Sequence, residues 1–226
     1  MRHIARRFDI ADGRAVSGVV ALPEGGPAAT TVVLAHGAGN DMTSPLLVAF
    51  ADALAERGYA TVRFNFPYKE RGGRVPDPAP VLEAAYRAVL AQVRADDELQ
   101  PKRLVIGGKS MGGRMASHLA AAGETVDGLL FLGYPLHPAG KPEKLRAAHL
   151  QRIGAPMLFL AGTRDALCRL DLLRAALAGL PQATLHVVDD GDHSFAVRVR
   201  SGRDQAAVRS EIVDASLAWL ATAVQA

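Results

Sequence analysis

Short, unbroken apolar runs recur along this chain, each followed by a longer Ala-, Leu- and Arg-rich stretch with helical spacing. No other feature constrains the fold so strongly. A strand that is apolar at every position is buried on both faces, and helices returning between such strands bring them into parallel register. The predicted strands of this kind are Thr31-Val32-Val33-Leu34-Ala35, Ala60 to Phe66, Leu104-Val105-Ile106, Gly128 to Leu132, Met157 to Ala161 and Thr184 to Val188. Two opening strands, about 3–10 and 16–22, are expected to add an antiparallel edge. Helices are predicted from about Ser44 to Arg57, where Gly58 supplies a stop, and from the end of a Gly/Pro-rich loop (Lys69 to Pro80) through about Arg94. Two more run from the Ser110 region to about Ala122 and from about Asp204 to Ala221. In the last, Val208, Ile212, Ala215 and Trp219 recur at the spacing of one buried stripe. The expectation is one α/β domain over residues 1–226, a mostly parallel sheet with helices on both faces. The irregular stretch Pro135 to Gly154 is too short for a cap domain, though long enough to cover a site.

Composition narrows the function classes. An apolar fraction of 49% and a charged fraction of 22% in 226 residues suit one sizeable soluble core. No apolar run approaches the roughly eighteen residues that a membrane helix requires. Met1 to Arg7 carries charge with no apolar run behind it, so no signal peptide is expected. The single cysteine, Cys168, excludes an internal disulfide and fits a reducing compartment, so a cytoplasmic location is expected. The net charge of +3 is spread thinly over scattered arginines, which argues against nucleic acid as a partner. No His, Cys or carboxylate cluster has metal-ligand spacing, and no cofactor is expected. The sequence leaves the oligomeric state open.

Gly108-Lys109-Ser110-Met111-Gly112 places a serine between glycines where an apolar strand turns into a helix. Such a turn is sharp and strained, and it lifts the serine hydroxyl above the sheet, with a helix N-terminus aimed at the same point. Side chains at 108 and 112 would collide across it. The rival reading of Gly-Lys-Ser, the tail of a phosphate-binding loop, fails because its first glycine position holds Arg103. A structural glycine turn is the remaining bland alternative.

A serine hydroxyl needs a base before it can attack. His193, in Gly191-Asp192-His193-Ser194-Phe195, follows the last predicted strand and is the best candidate among the seven histidines. His3, His118, His149 and His186 sit near the terminus, on helices or within a strand, and His137 is a loop contact. The third member is expected to be Asp165, just beyond the strand Met157 to Ala161, giving the order Ser, Asp, His. Asp192 is its rival, while Asp189 and Asp190 read as solvated or structural. His36-Gly37-Ala38-Gly39-Asn40 ends another strand, and the backbone N–H groups of Ala38 and Met111 are nominated as donors to a developing oxyanion. The Gly37-x-Gly39 pair is no dinucleotide fingerprint, since Met42 occupies the third glycine position. His36 reads as a structural hydrogen-bonding group. Arg63, Lys69, Arg71, Arg74, Lys141 and Lys144 fall in segments near the expected site, where they would favour an acidic substrate or serve as solvated surface charge.

Together with Arg63-Phe64-Asn65-Phe66-Pro67-Tyr68, Gly133-Tyr134-Pro135-Leu136-His137-Pro138 and Gly162-Thr163-Arg164-Asp165, these segments resemble the α/β-hydrolase superfamily over essentially the whole chain. More narrowly, they look like the dienelactone-hydrolase-like group that includes testis-expressed hydrolase-like proteins and a subunit of the NSL histone acetyltransferase complex. Dienelactone hydrolases use a cysteine nucleophile, whereas position 110 is serine. The resemblance implies an α/β-hydrolase fold without a large cap and a Ser110-His193-Asp165 triad. The expected function is that of a carboxylesterase acting on a small ester through an acyl-enzyme. The alternatives are a thioesterase, peptidase or lactonase with the same triad, or a non-catalytic binding protein that keeps the fold.

Overall fold

The computed structural model describes residues 1–25 and 28–224. Its centre is an eight-stranded sheet in the order β1-β2-β4-β3-β5-β6-β7-β8. β1 (Arg2–Ile10) and β2 (Arg14–Leu22) form an antiparallel hairpin at one edge, and β2 is also antiparallel to β4 (Ala60–Phe64). From β4 onward every pairing is parallel, through β3 (Thr30–Ala35), β5 (Arg103–Lys109), β6 (Gly128–Leu132), β7 (Met157–Gly162) and β8 (Ala183–Val188).

The unbroken apolar runs have the cause read from the sequence: both faces of the sheet are covered. Side chains alternate between faces along a strand. Val33, Ala35, Ile106, Phe131 and Phe159 pack beneath α3 (Ala79–Ala95), α4 (Met111–Ala121) and α5 (Leu170–Leu177). Val32, Leu34, Val105, Leu130, Leu132 and Leu160 pack beneath α1 (Pro45–Ala55) and α6 (Gln205–Trp219). The expected stripe on α6 lies against this second core, with Val208, Ile212 and Trp219 buried and Ala215 partly so. Asp204 caps that helix, its carboxylate accepting the Ala207 N–H at 3.2 Å.

Several boundaries differ from expectation. β4 stops at Phe64 rather than Phe66, because the Phe66 N–H turns away from the ladder to donate to His36 Nε2 at 3.0 Å. A one-turn helix, α2 (Pro67–Glu70), follows the strand and takes in the first two residues of the expected Lys69–Pro80 loop, with Pro67 in its first position. α5 was not anticipated, although Leu170, Leu173 and Leu177 follow helical spacing and Gly179 closes the segment. His149, expected on a surface helix, lies half-buried in a 3-10 turn (Ala148–Arg152). No separate cap stands over the sheet among the described residues. The 135–154 segment lies against α4, where Leu150 is buried and Ser117 Oγ is 2.8 Å from His149 Nε2.

Candidate active site

The parallel strands deliver their C-terminal ends to one edge of the sheet, and three of these ends carry the predicted residues. At the end of β5 the chain reverses at Ser110, which adopts φ 50° and ψ −113°. That is strained backbone for a residue with a side chain, and the surroundings enforce it. The Ser110 N–H donates to Leu132 O at 3.1 Å, and Ser110 O accepts the Arg114 N–H at 3.0 Å. Gly108 has φ +142°, and a Cβ on it would lie 2.1 Å from Ala35 O. A Cβ on Gly112 would lie 2.2 Å from the same oxygen. Both positions therefore demand glycine on steric grounds, as the motif implied.

The loop after β7 carries Asp165 and the loop after β8 carries His193. His193 Nδ1 is 2.7 Å from Asp165 Oδ2, and its Nε2 is 2.8 Å from Ser110 Oγ. An ionised carboxylate only accepts, so Nδ1 carries the proton and Nε2 is left to accept from the serine hydroxyl. The Asp165 side chain is fully buried, and its second oxygen accepts the Leu167 N–H at 2.8 Å. The structure thus brings Ser110, His193 and Asp165 into one chain of hydrogen bonds.

The two loops are locked together by groups that sequence reasoning passed over. Arg164 donates through its N–H to Gly191 O at 2.8 Å, and its guanidinium donates to Asp190 O and Ala196 O, each at 2.9 Å. Thr163 Oγ1 accepts the Asp190 N–H at 2.8 Å. A Cβ on Gly162 would sit 2.2 Å from Gly191 O, so glycine permits this close approach. Asp192, the rival to Asp165, instead folds its own loop by accepting the Ser194 and Ala196 N–H groups at 2.7 and 2.9 Å. Asp190 is structural: Arg198 binds it through Nε at 2.6 Å and through Nη2, holding its carboxyl down to about 2.

The His36–Asn40 segment lies beside the serine, since a Cβ on Gly37 would be 3.5 Å from that of Ser110. Asn40 N–H returns to Gly37 O at 3.3 Å, and Gly39 takes φ +78° at the third position of the turn. Ala38, at the second position, is exposed, and Met111 is the first residue of α4. Among the described residues neither amide N–H donates to a protein acceptor. His36 is wholly buried between Gly37 O, 2.9 Å from Nδ1, and the Phe66 N–H. Burial pushes its imidazole down to about 4, so it is a neutral brace, as expected.

The basic residues near the site separate into different kinds. Arg63 is neither substrate-facing nor solvated: it is buried, donates to Met42 O at 2.7 Å and lies 3.8 Å from Asp52. Arg71 pairs with Asp77 at 2.6 Å, Lys69 is half-buried beside Tyr68, and Arg74, Lys141 and Lys144 are exposed. His137 joins the 135–154 segment to the Asp165 loop, its Nε2 accepting the Arg169 N–H at 3.1 Å. Burial pushes the Cys168 thiol up to about 12, which makes it a poor nucleophile. Among the described residues no group of three or more His, Cys, Asp or Glu side chains is placed to hold a metal ion. No helix among them is long and apolar enough to cross a membrane.

Sequence reasoning weighed Lys109 only as part of a phosphate loop. The structure buries it, with Nζ donating to His193 O at 2.6 Å. The one available signal was a lysine at the end of an apolar strand.

Residues 28–221 match the family model described as an alpha/beta hydrolase domain. A stretch of 87 residues is 33% identical to the quorum-quenching protein AidA of Acinetobacter baumannii (strain MDR-ZJ06), covering 36% of this chain and 28% of that protein. The match therefore spans little more than a quarter of that relative's length. An α/β serine hydrolase without a lid from Xanthomonas campestris superposes with a TM-score of 0.74 at 24% identity, over 97% of this chain and 95% of that one. Dienelactone hydrolase from Anabaena variabilis gives a TM-score of 0.74 at 20% identity, over 99% and 98% of the two chains. At these identities the likeness is one of fold.

Proposed function

This chain belongs to the alpha/beta hydrolase family, and from that premise we propose that it is a metal-independent serine hydrolase, a carboxylesterase acting on a small ester. The observation that carries the reading is His193 spanning Ser110 and Asp165 at 2.8 and 2.7 Å. Nε2 takes the hydroxyl proton as Oγ attacks the ester carbonyl, and Asp165 stabilises the imidazolium that forms. The oxyanion is received by the N–H groups of Ala38 and Met111, reinforced by the N-terminus of α4. Collapse of the tetrahedral intermediate expels the alcohol, protonated by His193, and leaves an acyl group on Ser110. Water, deprotonated by His193, then releases the acid and regenerates the serine.

Support for these roles comes from position. The nominated donors flank the serine and have no protein acceptor among the described residues. An intact proton path with a strained serine also favours an enzyme over a binding protein that merely keeps the fold, for which neither feature is needed. A cytoplasmic site of action fits the single, buried cysteine.

The test is covalent labelling with a fluorophosphonate and turnover of an activated short-chain ester. Ser110→Ala is expected to abolish labelling and to lower turnover at least ~10³-fold. Equal labelling of the wild type and Ser110→Ala would reject the assignment. A panel of esters, thioesters, amides and lactones then identifies the bond.

A further inference from the structure

We propose that Lys109 is a positioning residue: its ammonium, by holding the main-chain carbonyl of His193, sets the imidazole over Ser110 for proton transfer. The inference rests on the reading of Ser110 as nucleophile and His193 as base, and it adds a residue that the motif leaves unspecified.

A lysine at the end of a strand ordinarily extends its charge into water. Lys109, the last residue of β5, is instead only 6% exposed, and its Nζ donates to His193 O at 2.6 Å. A hydrogen bond from a charged donor is roughly twice as strong as a neutral one. Room for it is made by Gly133, just past β6, at φ +67°. A Cβ there would come within 3.2 Å of the ammonium, 2.7 Å of His193 O and 3.4 Å of His193 Nδ1. The strand bearing the nucleophile, the end of β6 and the histidine loop therefore meet around one charge.

The rest of the histidine loop has other anchors. Arg164 holds the carbonyls of residues 190, 191 and 196, and Asp192 folds the turn. Among the described residues the carbonyl of His193 itself is held by Lys109 alone, and its N–H donates to no protein acceptor. The backbone of the proposed base is thus fixed by the residue immediately preceding the proposed nucleophile. Displacing a reacting group by about 1 Å costs on the order of 10²-fold in rate, so this tether bears directly on proton transfer.

The groups facing the ammonium are the carboxylates of Asp165 and Asp192, which favour its charge, and the His193 imidazole. Burial outweighs the carboxylates and pushes Lys109 down to about 8. Above that pH the amine still donates, but without its charge the hold on His193 weakens.

The experiment measures the rate of fluorophosphonate labelling of Ser110 against probe concentration and pH, with folding followed by circular dichroism. Lys109→Met is expected to slow labelling at saturating probe about tenfold or more, with little change in the half-saturating concentration. Lys109→Arg, which keeps the charge, is expected to restore the rate to within about threefold. The wild-type rate is expected to decline above pH ~8, while that of Lys109→Arg persists to higher pH, since a guanidinium stays charged. Wild-type labelling by folded Lys109→Met would overturn the proposal, as would equal slowing in Lys109→Arg. If Lys109→Met does not fold, the pH comparison decides, and identical alkaline profiles for wild type and Lys109→Arg would overturn it. A wild type that labels no faster than Ser110→Ala would overturn the functional reading itself, a result distinct from all of these.

Discussion

Tyr86 sends its hydroxyl from α3 to the backbone of β3 and β5, 2.8 Å from both Val33 O and Gly107 O, while accepting the Gly107 N–H at 3.0 Å. The phenol is wholly buried, which raises its pKa and keeps it a donor at any working pH. At Gly107, three residues before Ser110, it ties the helix layer to the strand that leads into the serine. Tyr86→Phe removes the hydroxyl that joins the Gly107 N–H to two carbonyls in a dry interior, so a loss of about 1–3 kcal/mol is expected in urea unfolding. An unchanged unfolding midpoint would show that this knot contributes nothing. At this scale the sequence announces a residue when its chemistry is conspicuous. Ser110, Asp165 and His193 are conspicuous because their side-chain types and order describe a proton path. Lys109, Arg164 and Tyr86 are not, because their worth lies in backbone groups that the fold brings to them. Arg63 shows the converse error, since a charge on a short strand near the site turned out to brace Met42 from beneath.

Elements were readable where sterics are local and obscure where they are not. The turn into α4 could be foreseen because a strand that reverses this sharply excludes a Cβ at 108 and at 112. Gly112→Ala would set a methyl 2.2 Å from Ala35 O, a backbone atom that cannot swing aside. A destabilisation of about 2 kcal/mol or more is expected in thermal or urea unfolding, with loss of Ser110 labelling. The control is Gly154→Ala, where nothing lies within 4 Å of the added carbon, and a change within about 0.5 kcal/mol is expected. Loss of labelling in both variants would count against the steric account. The end of β4 was misplaced because Phe66 continues the apolar pattern while its N–H serves His36. α5 escaped because eight residues of helix carry little periodic signal between two loops, although its leucines do pack on the first core.

Across the whole molecule, pH couples to stability through the buried neutral histidine behind the Ala38 loop. The ordinary histidine pKa is 6.5, and His36 in the folded chain lies at about 4. Below pH 6.5 the unfolded chain therefore takes up a proton that the folded chain refuses. His36 contributes fully above that pH, and its contribution is lost as pH falls from about 6.5 to about 4, amounting to about 3 kcal/mol. His149, lowered to about 4 by burial and by His118, acts in the same direction. Urea unfolding at pH 7 and pH 4.5 is expected to show this loss, and His36→Asn to flatten part of it. A variant with the same slope as the wild type would assign the acid sensitivity elsewhere. Asp190, held at about 2 by Arg198, keeps its ion pair throughout this window.

Taken alone, the sequence determined the alternation of strands and helices, the glycine-bounded serine and the order of its two partners. These follow from periodicity and from sterics within a few residues, which any chain carries locally. The tertiary structure decided that His193 reaches Ser110 across 83 residues and Asp165 across 28, and that Lys109 grips His193 across 84. It also decided that Arg63 is a brace and that β4 yields an N–H to His36. Such contacts exist only once the parallel sheet has brought the ends of β5, β7 and β8 to one edge, so they depend on long-range closure that no local pattern encodes.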